Sequence, residues 1–303
     1  MLAITDLRFL YAISKARSLA AAARALDVTP PAVSQRLAQI ENRLGLRLVE
    51  RGVGGLHLTA EGELLASRGA VILSDLDELT DVLAERRSVV SGPLRVIAPF
   101  GFGRVHVAPP MASFALQHPE VTPSLILTDD PRGTMRIDGW DVLIHVGRLP
   151  DLDILQRKLA TNRRLLCAAP DYGDRHGFPE RPSDLRNHRC GVVREDQADV
   201  TLWSLTGPSG EKETIRIHPA FASNDGEVIR AWVLAGMGIV ERSEWSVAAD
   251  LREGRLISVL DQWGLPDADV IALLNPRSVR AARTEAFVHH LAETLATRSW
   301  LRA

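Results

Sequence analysis

Apolar side chains recur at helical spacing in two short segments between Ser18 and Arg51. The first segment, 19–26, has small alanines on its apolar face, so a second helix can approach it closely. The second segment, 31–44, repeats apolar residues three or four positions apart, at Val33, Leu37, Ile40 and Leu44. The pattern predicts two helices that cross at short range, which is the arrangement of a helix-turn-helix.

The start of the second helix carries the candidate contacts of this motif. Thr29 is a favoured N-cap residue, and Pro30 and Pro31 fit the first helical turn, where an N–H would have no partner anyway. The side chains that turn outward just after them are Ser34, Gln35 and Arg36. In a helix-turn-helix, this part of the helix meets base edges and phosphates in the major groove. On spacing alone, an ordinary helical hairpin with a solvated polar face is the alternative.

A tight hairpin, the wing of a winged helix, is predicted between Arg51 and Thr59, because glycines separate two short extended pieces. Gly54 and Gly55 occupy its tip. Arg51 and His57 are therefore its polar candidates, and His57 is interpreted as a phosphate contact.

One long helix is predicted to follow, with Thr59 as its N-cap, Gly62 inside it and its end near Arg87. Its apolar residues recur at sevens and fours and form a narrow seam that comprises Leu65, Ile72, Leu76, Leu79 and Leu83. A narrow seam favours a partner helix, and packing onto the chain's own core is the alternative.

Strand and helix patterns alternate from residue 94 to the end of the chain. Strands are predicted at 94–98, 124–127, 140–146, 164–168, 238–240 and 271–274, and helices at 105–114, 227–234 and 280–297. This alternation predicts parallel sheets, with ligands at the carboxyl ends of the strands.

Charge is distributed unevenly in a chain of 303 residues whose formal net charge is only −2. Residues 1–58 hold eight basic and four acidic side chains, whereas residues 59–90 hold three basic and seven acidic ones. A basic N-terminal segment followed by an acidic one is expected when only the N-terminal segment approaches the phosphates of a nucleic acid. No apolar run reaches the length of a membrane span and no signal-peptide pattern begins the chain, so a cytoplasmic protein is expected.

Two cysteines, Cys167 and Cys190, indicate a reduced compartment without a disulfide framework. Cys167 lies in an apolar run typical of a buried strand, and Cys190 is expected in a loop. His176 and His188 lie near Cys190, but no set of four has the spacing of metal ligands, so no metal site is expected.

Ordered matches to one family run through residues 2–65 and continue beyond them. In the first part they are residues 18–23, 29–34, 40–41, 44–45, 48–51 and 58–62; later they are 92–96, 141–147, 184–188, 223–226 and 235–239. The first part resembles the DNA-binding domain of LysR-type transcriptional regulators, and the second resembles their effector-binding region.

The resemblance implies an α/β fold with an all-α winged helix-turn-helix N-terminal domain, a long linker helix and a C-terminal two-lobed effector domain. The effector domain would be of the periplasmic-binding-protein, Rossmann-like type. The implied boundaries are 1–58 for the DNA-binding domain, 59–88 for a linker helix that pairs two subunits and 89–92 for a hinge. Lobe I would comprise 93–163 with 271–303, and lobe II 164–270.

The implied partners are double-stranded promoter DNA, a small-molecule effector and further copies of the chain, as a homodimer or a homotetramer. No cofactor is implied. A solute-binding or receptor-type protein is the alternative, because the two-lobed architecture is shared. An enzyme is disfavoured, since the sequence shows no nucleophile elbow, metal-binding run or phosphate loop.

Effector contacts are expected where loops leave strand ends and where helices begin. The candidates are Pro99, Phe100, Gly101, Phe102, Thr128, His145, Gly147, Arg148, Ser223 and Asn224. Many relatives have Ser or Thr at the position of Gly101 and Arg at that of His145. A carboxylate effector is therefore less strongly implied than usual, and Phe100 and Phe102 suggest an aromatic one; packing of the phenylalanines and of His145 inside the domain is the alternative.

Overall fold

A computed structural model describes residues 2–16, 18–52, 55–85, 90–130, 133, 139–147, 154–194, 199–276, 278–279, 281–297 and 300. Gly54 and Arg148 lie outside these residues, and so do the side chains of Arg51 and Leu83. The chain divides into two compact units, Met1–Leu83 and Ala84–Ala303, and each is described separately.

The N-terminal unit is built from helices and one hairpin. Its elements are α1 (Ile4–Ser14), α2 (Leu19–Ala25), α3 (Pro30–Leu44), β1 (Val49–Gly52), β2 (Gly55–Leu58) and α4 (Ala60–Glu85). Thr29 is the N-cap of α3 and Pro30 begins the helix, as predicted, although the Thr29 side chain makes no capping hydrogen bond. β1 and β2 pair antiparallel, so the predicted hairpin is present.

The core of this unit lies where the three short helices meet. The predicted stripe of α3 is confirmed, because Val33, Leu37 and Ile40 are buried and Leu44 packs against them. Ala22 and Ala23 of α2 are 0% and 1% exposed, so the small side chains let α2 and α3 approach closely. The polar face of α3 is thereby turned away from the core.

The start of α4 is fixed by two hydrogen bonds of Thr59. Its Oγ1 accepts from the Gly62 N–H at 3.0 Å and donates to the Arg47 carbonyl at 2.7 Å. The predicted cap is therefore confirmed. The described helix extends through Glu85, and residues 86–89 lie outside the described part of the chain.

The predicted seam of α4 divides along its length. Leu65 packs against the core of the N-terminal unit, which is the alternative that the sequence left open. Farther along, Ile72 and Leu79 are 51% and 56% exposed, and Leu76 is half-buried. The outer part of the helix therefore keeps apolar surface available for a partner.

Lobe I of the C-terminal unit is a twisted sheet with described strand order β4-β3-β5-β14-β6. The strands are β3 (Gly92–Pro99), β4 (Val121–Thr128), β5 (Val142–Val146), β6 (Leu155–Ala160) and β14 (Val270–Leu274). Two of the described helices cover it. The first, α5, consists of Phe100–Phe102, a π-helical turn (Gly103–Val107) and Ala108–Gln117, and the second is the closing helix, α9 (Ala282–Ala296).

Lobe II has described strand order β11-β8-β12-β7-β13. Its strands are β7 (Arg164–Ala168), β8 (Cys190–Val193), β11 (Pro219–Ser223), β12 (Ile239–Ser243) and β13 (Ile257–Val259), with a hairpin of β9 (Leu202–Thr206) and β10 (Lys212–Arg216). Its helices are α6 (Pro170–His176), a 3-10 turn (Pro182–Asn187), α7 (Gly226–Leu234) and α8 (Glu244–Arg252).

The prediction of purely parallel sheets is wrong for both lobes. β3 pairs parallel with β4 and β5, and β8 pairs parallel with β11 and β12. β14, however, runs antiparallel to β5 and β6, and β7 runs antiparallel to β12 and β13. The antiparallel strands are those near the points where the chain crosses from one lobe to the other.

Both cysteines are buried in lobe II. Cys167 lies in β7, as predicted, but Cys190 lies in β8 rather than in a loop. Burial raises the pKa of each thiol to about 12. Both thiols therefore stay protonated near neutral pH and are poor nucleophiles. None of the described helices is long and apolar enough to cross a membrane.

Candidate DNA-binding surface and inter-lobe site

The structure brings the predicted DNA contacts of α3 together on its first two turns. Thr29, Pro30, Pro31, Gln35 and Arg36 are exposed, and Ser34 is half-buried. Because the opposite side of α3 forms the core, these side chains lie on the solvent-facing side of the helix. This is the side of a recognition helix that can enter a major groove.

Arg36 is engaged within the chain, which the sequence did not indicate. Its Nη2 donates to the Thr5 carbonyl at 2.9 Å, and its guanidinium lies 4.9 Å from the centre of the Phe9 ring. The side chain is still 43% exposed. Arg36 is therefore held against α1 and is a less independent phosphate contact than the sequence suggested.

A groove beside α3 contains a second arginine and a buried carboxylate that sequence reasoning missed. The groove is lined by Asp6, Ala32, Gln35, Arg36, Gln39, Ile40 and Arg43. Asp6 is 6% exposed and bonds the Arg43 guanidinium. The sequence did contain a signal for this groove, since Asp6 is an acidic residue directly beside the apolar positions of α1.

The wing presents one described candidate. His57 is exposed on β2 and is opposite Glu50 of β1. Arg51 lies opposite Leu56 in the same hairpin. The exposure of His57 is compatible with the predicted phosphate contact, which remains a prediction.

In the C-terminal unit, the ends of β3, β4 and β11 bring the two lobes into contact. Arg104 of α5 forms an ion pair with Asp225 at 2.8 Å, and Asn224 donates to the Asp129 carboxylate at 2.6 Å. We call these four residues the inter-lobe polar cluster. It contains Asn224, which was predicted, while Arg104, Asp129 and Asp225 were missed as site residues.

Asp225 has a second role as the N-cap of α7, where its carboxylate accepts from the Glu227 N–H at 2.7 Å. Burial raises its pKa, but the hydrogen bonds from Arg104 and from the Glu227 N–H outweigh burial and hold the pKa below its usual value. The ionised carboxylate that Arg104 needs is thus maintained down to acidic pH. Its position directly before an apolar helix was a sequence signal for the cap.

The first turn of α5, directly after β3, faces a tryptophan from the other lobe. A Cβ at Gly101 would lie 3.1 Å from the Trp245 ring, so a side chain at this position would require that ring to move by a few tenths of an ångström. Phe102 is 0% exposed and packs edge-on against Trp245, with ring centres 5.3 Å apart. The prediction that Phe102 stacks on an aromatic ligand is therefore wrong, because its ring belongs to the core. Pro99 and Phe100 are half-buried at the same end of the sheet.

Other predicted effector contacts serve the fold. His145 lies in β5 and is 4% exposed, so the alternative of a strand histidine packed in the core describes it better. Gly147 is buried with φ +122°, and its N–H donates to the Asp269 carbonyl at 3.0 Å. Thr128 and Ser223 accept hydrogen bonds from the N–H groups two residues later, at 3.1 Å each.

The histidines near Cys190 have protein partners. His188 bonds the Tyr172 hydroxyl at 3.0 Å, and burial lowers the His188 pKa. Within the described part of the chain, no group of three His, Cys, Asp or Glu side chains is arranged to hold a metal ion.

Two family models match the two units. Residues 4–63 match the bacterial regulatory helix-turn-helix protein, lysR family, and residues 87–296 match the LysR substrate binding domain. The chain belongs to the LysR family of transcriptional regulators. LysR-type regulators bind DNA and small-molecule effectors and form oligomers, so the N-terminal unit is the DNA-binding domain and the C-terminal unit is the effector-binding domain.

Relatives within the LysR family match over nearly the whole chain. The HTH-type transcriptional regulator DmlR of Escherichia coli K12 is 33% identical over 97% of this chain and 94% of its own length. The transcriptional activator TtdR of the same strain is 32% identical over 95% of this chain and 92% of its own.

Solved structures of LysR-type regulators share the fold. CrgA from Neisseria meningitidis has a TM-score of 0.61 at 26% identity and covers 98% of this chain and 100% of its own. The full-length virulence activator AphB of Vibrio cholerae has a TM-score of 0.64 at 22% identity and covers 96% of this chain and 99% of its own.

Proposed function

We propose that this LysR-type regulator reads its operator through the first two turns of α3, with Gln35 as the principal base-reading side chain and Ser34 beside it. The observation that carries this proposal is the exposure of Gln35 on a helix whose opposite face is buried. A glutamine amide matches the donor and acceptor of adenine in the major groove. Thr29, Pro30, Pro31, Arg51 and His57 would approach the DNA backbone.

The purified chain is expected to bind a promoter fragment in a strongly salt-dependent manner. Each phosphate contact contributes about −0.9 to the slope of log K against log salt, because counterions are released. Titrations by fluorescence anisotropy at several salt concentrations measure this slope. A salt-independent interaction, or one no tighter than binding to unrelated DNA, would reject the proposed function.

Gln35→Ala in the same assay should relax the preference at one base pair, by about 1 to 3 kcal/mol, and should leave the salt slope unchanged. Asn42→Ala, which removes an amide from an exposed position beyond the first two turns of the same helix, is the matched control. A Gln35→Ala variant that loses affinity equally for all sequences would assign Gln35 to the backbone instead.

We further propose that two chains pair through the outer part of α4, where Ile72 and Leu79 are exposed. A dimer would place two α3 helices on half-sites one or more helical turns apart. Assembly into a tetramer and a cytoplasmic location follow from the resemblance to the family. They are part of the same proposal.

The effector is proposed to act at the junction of the lobes, beside the inter-lobe polar cluster. A small carboxylate or aromatic compound that prefers one lobe arrangement by about 1 to 3 kcal/mol would change DNA affinity roughly 5- to 150-fold. Arg104 supplies a positive charge there, and it is 47% exposed.

Asp225→Asn should change the Kd for operator DNA at least several-fold, because asparagine keeps the cap of α7 while the ion pair with Arg104 is lost. Affinity for operator DNA, measured without added effector, is the readout. The matched control is Asp184→Asn, which breaks an exposed ion pair with Arg181 inside lobe II and should leave DNA affinity unchanged. Equal behaviour of the two variants would show that the cluster does not influence DNA binding.

A further inference from the structure

The buried carboxylate of Asp6 stands out in the DNA-binding domain. Its side chain is only 8% exposed, and it lines the groove beside the recognition helix α3. A negative charge near a DNA-binding surface opposes phosphate, and burial of a charge is unfavourable unless partners compensate for it. The position therefore calls for a specific role.

The charged partners of Asp6 are the two basic residues of α3. One carboxylate oxygen bonds the Arg43 guanidinium and accepts from the Ala3 N–H at 3.0 Å. The other lies 3.9 Å from Nη2 of Arg36. Asp6 thus lies between Arg36 and Arg43 and links the recognition helix to the first turn of α1.

Arg36 and Arg43 are seven residues apart, so they lie two turns apart on the same side of α3. Their side chains are 43% and 42% exposed, so both guanidinium groups border on solvent. The Thr5 carbonyl and the Phe9 ring restrain Arg36 from the same direction as Asp6. Both arginines are therefore turned toward α1, in the groove that Gln35 also lines.

We propose that Asp6 is a positioning residue for sequence discrimination: it holds Arg36 and Arg43 against α1 and so limits their binding to phosphates of any sequence. This inference rests on the proposed reading of DNA by α3. An untethered arginine on a recognition helix binds phosphate whatever the base sequence, and such contacts make up non-specific affinity. With both arginines restrained, a larger share of the binding depends on the bases that Gln35 meets.

Asp6→Asn tests the inference in the full-length chain, because asparagine keeps the shape of the side chain and removes its charge. Affinity is measured for an operator fragment and for a shuffled duplex of the same length, across about 50 to 200 mM salt. We expect tighter binding to the shuffled duplex, a lower ratio of operator to shuffled affinity, and a salt slope steeper by about 0.9 for each released arginine.

Two further variants separate tethering from other effects of the charge. Asp27→Asn removes the same charge from the exposed turn before α3, where φ is +52° and asparagine is well tolerated. The salt slope of Asp27→Asn should stay close to that of the wild type. Adding Arg43→Gln to Asp6→Asn should reverse part of the steepening, because one of the released cations is removed.

The outcomes are distinct. A purely structural role for Asp6 would lower operator and shuffled affinity in parallel and lower the melting temperature, and this would overturn the inference. Equal slopes for Asp6→Asn and Asp27→Asn would also overturn it while leaving DNA reading by α3 intact. A wild-type chain that binds neither duplex specifically would reject the proposed function, and the inference with it.

Discussion

Replacing Gly62 by alanine is expected to destabilise the DNA-binding domain by about 2 kcal/mol and to weaken operator binding accordingly. A Cβ at this position would lie 2.0 Å from the Leu48 carbonyl oxygen, which is backbone and cannot turn aside. That carbonyl also accepts from the Thr59 N–H at 3.0 Å, and the Leu48 N–H donates to Glu41 at 2.8 Å. The gain in helix propensity from glycine to alanine, about 1 kcal/mol, is smaller than the cost of shifting these bonds.

Gly69→Ala is the matched control for Gly62→Ala, because both glycines lie in α4. A Cβ at Gly69 would meet the end of the flexible Leu7 side chain at 3.2 Å, so little change or a small gain in stability is expected. The measurement is unfolding followed by far-UV circular dichroism, which reports on the helices of the DNA-binding domain. Tryptophan fluorescence follows the effector-binding domain instead, because all six tryptophans lie beyond residue 139. If the two variants were equally stable, the backbone around Leu48 would have moved to relieve the clash without cost.

Short-range patterns were enough to predict the DNA-binding domain. The apolar stripe of α3, the small residues of α2 and the Thr59 cap each depend on neighbours within about four residues, where helical geometry is fixed. The same reasoning placed Gln35 on the exposed face. It failed for Arg36, whose acceptor Thr5 is 31 residues away and carries no local signal.

The effector-binding domain was predicted less completely, because its sheets depend on long-range pairing. β14 joins lobe I from more than 120 residues after β5 and runs antiparallel to it, and nothing in its apolar sequence indicates a direction. β6 was missed because its exposed residues, Leu155 to Lys158, lack a strand-like alternation. The contacts between lobes, such as Asn224 with Asp129, likewise follow from the folded arrangement rather than from spacing.

Phe102 shows the same limit within a predicted site. A phenylalanine in a loop after a strand can face a ligand or the core, and the sequence does not distinguish the two. Phe102 faces the core because its ring packs against those of Trp245 and His106, at centre-to-centre distances of 5.3 and 5.0 Å. Trp245 comes from α8, which the sequence did not predict.

Asp250→Ala is expected to lower the stability of the effector-binding domain by about 2 to 3 kcal/mol. Asp250 is 0% exposed and accepts two hydrogen bonds from Arg230, at 2.6 and 2.8 Å, and two from Arg255, at 2.6 and 2.9 Å. Loss of one partner from a buried ion pair usually costs about 3 to 5 kcal/mol. The cost is smaller here because the side chains of Arg230 and Arg255 are 28% and 49% exposed and regain water.

The measurement for Asp250→Ala is urea unfolding followed by tryptophan fluorescence, because the affected bonds join α7, α8 and the turn after α8 within lobe II. Asp199→Ala is the control, since its ion pair with Arg216 is more than half exposed on both sides and should contribute little. If the two variants unfolded at the same urea concentration, the two arginines would be shown to find equivalent partners without Asp250. A shift confined to Asp250→Ala would instead show that one buried carboxylate fixes α7 against α8, the two helices that carry Asp225 and Trp245 to the junction with lobe I.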